Sequence, residues 1–149
     1  MTTEAQAAGL PTSSKVLCAV YALVAVGALI ATWSQNLAYI GSENFLLAFG
    51  NDLKITPASR SITVDLFLLG IPLAILMVAE GRKHGVKFVW LYLIGSAVTA
   101  ISVTFPLFLI ARELRIAKID ATQLRTGDAI GLGIVAVLMA AIVVWVDLG

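Results

Sequence analysis

Apolar residues fill four long stretches of the chain, 16–33 (VLCAVYALVAVGALIATW), 62–79, 88–111 (FVWLYLIGSAVTAISVTFPLFLIA) and 129–146 (AIGLGIVAVLMAAIVVWV), and polar residues collect between them. Each is long enough for a helix across a hydrocarbon layer of roughly 30 Å, which takes about 20 residues. None alternates with period two, so a β-barrel does not fit, and backbone groups in lipid must then be satisfied within helices. The pattern predicts an all-α integral membrane protein: a four-transmembrane-helix antiparallel bundle at 15–149, preceded by a mobile tail at 1–14. The first stretch is too long for the apolar part of a secretory signal and lacks a small-x-small site at ATWSQN, so it is expected to be an uncleaved anchor.

Between the first two stretches lies a longer connection, 34–60, with the apolar run NFLLAF at 44–49. This run is too short to span and predicts a short interfacial helix. Thr56 followed by Pro57 is a helix-start signal, a capping residue with proline in the first turn. The connection EGRKHGVK at 80–87 is short and basic, with Gly81 and Gly85 able to end one helix and turn the chain. The charged segment RELRIAKIDATQLRTGD at 112–128 is expected to carry the third helix into the headgroups, and Asp128 to cap the fourth.

Composition agrees: 60% of the 149 residues are hydrophobic and 13% charged, and the mean hydropathy is +0.98. A soluble domain has about a quarter charged residues. The net charge of +1 offers no clustered excess of cations for nucleic acid. One cysteine, Cys18, inside an apolar run excludes a disulfide framework. One histidine, His84, in the basic connection leaves no converging set for haem or metal, so no cofactor and no metal are expected.

Four crossings would place the ends of stretches one and three and the starts of two and four on one face. That face gathers Gln35, Asn36, Asp65, Arg112, Glu113 and Asp128. Asp65 is the only charge in the second stretch. A helix starting at Pro57 puts it beyond the first turns, where the helix dipole does not account for it. An acid in a membrane costs about 2.5 to 3.5 kcal/mol at mid-bilayer and usually has a partner or a cavity. Arg112 is the expected bidentate partner, with Ser61 one turn earlier as a second; the alternative is a reactive acid in a cavity. Tyr92, Ser96 and Thr99 recur at helical spacing in the third stretch, fitting helix packing better than a pocket wall. Alanines of the first stretch and Gly131 and Gly133 of the fourth read as close-packing positions, and Pro72 and Pro106 as kinks. Lys15, Arg82, Lys83 and Lys87 would face Lys54, Arg60, Arg112, Arg115, Lys118 and Arg125 across the membrane. That count is nearly balanced, and Lys15 beside the first stretch favours both termini in the cytoplasm.

The segment VDLFLLGIPLAILMVAEGRKHGVKFVWLYLIGSAVTAISVTFPLFLIARE resembles the bacterial membrane protein family known as domain of unknown function 2834, over about residues 21–117. An Asp early in the second stretch, the EGR turn at Glu80 to Arg82, and the FPLFL-x-x-RE close at Phe105 to Glu113 carry the resemblance. It implies bacterial origin and membrane residence and supplies no activity; the expected location is the bacterial inner membrane. Two classes of function follow. One is a non-catalytic accessory or interaction subunit contacting lipid, a membrane protein partner or a second copy. The other is a small membrane enzyme, a terpenoid cyclase or isomerase, with Asp65 as its catalytic acid. The scarcity of acids inside the bundle favours the first.

Overall fold

A computed structural model describes residues 9–117 and 124–148. The described residues are helical, without a strand, and run α1 (Thr12–Asn36), a 3-10 turn (Leu37–Tyr39), α2 (Phe45–Asp52), α3 (Pro57–Lys83), α4 (Val89–Val98), α5 (Ile101–Ile116) and α6 (Thr126–Leu148). Three helices, α1, α3 and α6, are long and apolar enough to cross a membrane. The helix expected at NFLLAF is α2, where Asn44 Oδ1 accepts from Leu47 N at 3.1 Å. The Thr56–Pro57 signal starts α3 through a capping box, with Ser59 N donating to Thr56 Oγ1 at 3.0 Å and Thr56 N to Ser59 Oγ at 3.2 Å.

Two expected boundaries move. Helix α1 begins at Thr12, inside the stretch assigned to the tail; residues 1–8 of that tail, like Lys118, lie outside the described residues. Helix α6 begins at Thr126, so Asp128 is not its cap but an acid of its first turn, favourable to the helix dipole there.

The largest difference concerns the third expected crossing. Residues 88–111 do not form one straight helix: the chain breaks at Thr99 and Ala100, and α5 folds back along α4. Tyr92 and Phe108, sixteen residues apart, would be about 24 Å apart along a continuous helix, yet their ring centroids lie 6.0 Å apart. Ala100 makes the reversal with φ 141° and ψ 152°. Pro106, a candidate kink, lies buried inside α5, beyond the break. Hydroxyls support the tip: Thr99 Oγ1 donates to Gly95 O at 3.0 Å and Ser96 Oγ to Leu93 O at 2.6 Å. At membrane depth such backbone is tolerated where protein or side-chain groups cover it.

Helix α1 packs along α5, and Ala25 of α1 is 3% exposed. The core lies where α3 ends: Met77 and Phe108 are fully buried beside Val86 and Val89. Gly81 allows the approach, because a Cβ there would collide with Val89 Cγ2 and stand 3.4 Å from Phe108 Cε2. It therefore does not end its helix; Gly85, at φ 66°, makes the turn. Outside this core and the α1–α5 contact, the long helices are largely exposed. The most apolar windows of α1 and α3 are 6% buried and that of α6 is 0% buried. Gly131 and Gly133 face open space, so the close packing expected of them is not formed within the chain.

Candidate functional site

The polar residues gather at the end of α3, and the hairpin decides which ones. Because α5 returns toward the side from which α4 left, Arg112 reaches the last turns of α3. Its Nε donates to Glu80 Oε2 at 2.7 Å and its Nη2 to the same oxygen at 2.6 Å. His84 Nε2 lies 3.3 Å from that oxygen, and Lys83 Nζ 4.0 Å from Oε1. Glu80 is thus a carboxylate held by a guanidinium, with an imidazole and an ammonium beside it. Arg112 and Glu80 retain 28% and 20% side-chain exposure, so the pair is sheltered without being sealed. Such a geometry fastens one helix end to another. Among the described residues no group of His, Cys, Asp and Glu could hold a metal ion.

Glu113, one residue further, is 2% exposed and lies within electrostatic reach of Cys18 and Tyr21 on the N-terminal half of α1. Helices α1 and α5 are therefore antiparallel, and Arg112 and Glu113 sit at the opposite end of the fold from Gln35 and Asn36. Gln35 instead donates from Nε2 to Asp147 Oδ1 at 2.8 Å, which brings the ends of α1 and α6 together.

Asp65 is separated from all of these. It stands fifteen residues before Glu80 on the same helix, about 22 Å along the axis. The expected Asp65–Arg112 pair is not formed, because the third segment turns back before reaching Asp65's end of α3. Asp65 is exposed, and no hydrogen bond or ion pair joins it to another described residue, Ser61 included. Of the hydroxyl series, Ser96 and Thr99 bond backbone carbonyls within α4, and Tyr92 packs on Phe108, so all three take part in the hairpin.

Sequence reasoning passed over Glu80, although its signal was present. The EGR turn and the FPLFL-x-x-RE close are two of the motifs that carry the family resemblance. They meet in space, through Glu80 with Arg112 and Gly81 with Phe108.

Long apolar helices left largely exposed, with the end of α3 fastened to α5 by a sheltered ion pair, define a helical membrane protein. The chain belongs to the protein family of unknown function DUF2834, whose model matches residues 20–114. Helix α6 lies beyond the matched region. No curated protein and no solved structure matches the chain.

Proposed function

We propose that the chain is a non-catalytic accessory or interaction subunit of a bacterial inner membrane, and that a helix of a membrane partner or of a second copy completes the outer face of α3. The observation that supports this reading is Asp65, exposed and unpaired among the described residues on a helix whose apolar window is 6% buried. An acid in a membrane segment needs a partner or a water-filled cavity. Arg112 is engaged by Glu80, and a groove whose lining includes the neighbouring Thr63, Val64 and Phe67 does not include Asp65. A hydrogen-bond donor from outside the chain meets the need. The cyclase or isomerase alternative requires an enclosed acid, and an exposed one favours the interaction reading.

A photoreactive amino acid replacing Leu69, exposed one turn from Asp65 on the same face, tests this in native membranes. The expected result is a protein adduct that Asp65→Leu reduces at least fivefold. Adducts with lipid alone, unchanged by that substitution, would sink the proposal.

The hairpin also changes the orientation we infer. With α4 and α5 entering and leaving on one side, the starts of α1 and α6 share that side with the end of α3. Lys15, Arg82, Lys83, Lys87, Arg112, Arg115 and Arg125 then face Lys54 and Arg60 across the membrane. Seven against two, among the described residues, favours the first side as cytoplasmic. The end of α6 accordingly lies outside, in place of the expected cytoplasmic position. Alkaline phosphatase fused after Leu148 should be active and a fluorescent protein there dark; the reverse pair of results refutes the assignment.

A further inference from the structure

The connection between α1 and α3 builds a second feature that the Asp65 reading does not use. Helix α2 is held by an aromatic cluster: Tyr39 stands edge-on to Phe45 and Phe49, with centroids 6.1 and 5.5 Å away. Tyr39 Oη donates to Asp52 Oδ2 at 2.7 Å. So fixed, α2 and the first turns of α3 enclose a groove of about 530 Å³, within the range of ligand sites. Its walls include Leu46, Leu47, Val64 and Phe67, and its charged lining residues are Lys54 and Arg60. No carboxylate lines it. The Arg60 guanidinium donates from Nη1 to the Lys54 backbone carbonyl at 3.3 Å, which holds the two basic residues side by side in the lining of one groove.

We propose that this groove binds an anionic phospholipid, with the phosphate between Lys54 and Arg60 and an acyl chain along Leu46, Leu47, Val64 and Phe67. Charge complementarity selects the headgroup. Two cations with no acid in the lining disfavour an amphiphile with a cationic head, and a net-neutral zwitterion gains less from them. The apolar walls select a lipid over a free anion. Leu46, Leu47 and Phe67 are 74%, 64% and 71% exposed, at the place where the chain enters a membrane-crossing helix. Acyl chains are the material available there to cover them.

The test uses the full chain in nanodiscs containing equal amounts of phosphatidylglycerol and phosphatidylcholine. One of the two carries a photoreactive group on the acyl chain, and cross-links are mapped by peptide mass spectrometry. Each cation near a lipid surface contributes about fivefold. Cross-links within residues 46–67 should therefore favour phosphatidylglycerol by roughly 25-fold, a preference that K54Q/R60Q brings to parity while cross-links to α6 stay as they were. In the unaltered protein, raising sodium chloride tenfold should shrink the preference, a readout that needs no variant. Parity in the unaltered protein, or a preference that survives K54Q/R60Q, would overturn the proposal.

Discussion

The ring of Tyr92 stands edge-on to that of Phe108, with centroids 6.0 Å apart and planes at 76°. This contact joins two helices where the apolar pattern reads as one. Edge-to-face pairs contribute about 0.5–1.5 kcal/mol beyond their buried area, so the contact helps the hairpin and does not impose it alone. Gly95 against Thr104, Gly81 against Val89 and Phe108, and Arg112 on Glu80 act in the same direction. Each depends on α5 lying beside α4 and the end of α3.

The hairpin is open to a direct covalent test. A Cβ at Gly95 would lie 3.5 Å from Thr104 Cγ2. On a continuous helix the same two positions would be about 13.5 Å apart, beyond the ~7 Å between Cα atoms that a disulfide bridges. In a Cys18→Ser background, Gly95→Cys with Thr104→Cys should form an intrachain disulfide under mild oxidation. It would be visible as a mass loss of about two hydrogens and as resistance of the segment to thiol labelling. Full labelling of both thiols after oxidation would restore the straight third crossing.

Where the sequence was legible, the signal was local. Thr56 and Pro57 start α3 because capping chemistry needs the residues within one turn, and NFLLAF becomes α2 for the same reason. The hairpin tip carries no such mark. Thr99 and Ala100 are ordinary residues in a charge-free run, while Pro106, which a reader takes for the disruption, lies inside α5. The reversal comes from tertiary packing around Phe108, which hydrophobic periodicity does not encode. Once the segment is assumed straight, Arg112 goes to the wrong end of the fold and Asp65 acquires a partner it does not meet. One misread turn accounts for both differences.

Gly81 is one of the positions where α3 touches the hairpin. In Gly81→Ala the new Cβ meets Val89 Cγ2, a short β-branched side chain with little room to withdraw. Overpacking of this kind costs about 1–3 kcal/mol. The expected outcome is a lower midpoint of thermal unfolding in detergent. Gly70→Ala, where nothing lies within 4 Å, should be neutral or slightly stabilising, since alanine is the better helix former.

The Glu80–Arg112 pair lends itself to a double-mutant cycle. Removing either partner leaves a sheltered charge with weaker company, at a cost of about 1–3 kcal/mol. Arg112→Leu and Glu80→Leu should each destabilise, and the combination should cost clearly less than the sum, because apolar replacement of both partners leaves nothing unpaired. Unfolding midpoints of the three variants in one detergent measure the coupling. Simple additivity would show that the contact contributes no coupling energy.

The hairpin tip supplies the last prediction. Ala100 holds φ 141° with ψ 152°, a region that glycine enters freely and that costs other residues about 1–3 kcal/mol. The turn is kept because packing on either side over-determines it, with Val103 N and Thr104 N both donating to Ala100 O at 3.1 and 3.2 Å. Glycine removes the steric conflict at the Cβ and loses only a methyl that is not fully buried. It also enlarges the freedom of the unfolded chain, which offsets part of the gain. Ala100→Gly should therefore raise stability by about 1 kcal/mol, and Ala100→Val, whose branched Cβ tolerates this backbone least, should lower it by more. Were residues 88–111 a continuous helix, the order would reverse: glycine would cost about 1 kcal/mol in a helix interior and valine less. The sign of the glycine effect in a thermal unfolding series therefore distinguishes the two folds without any labelling.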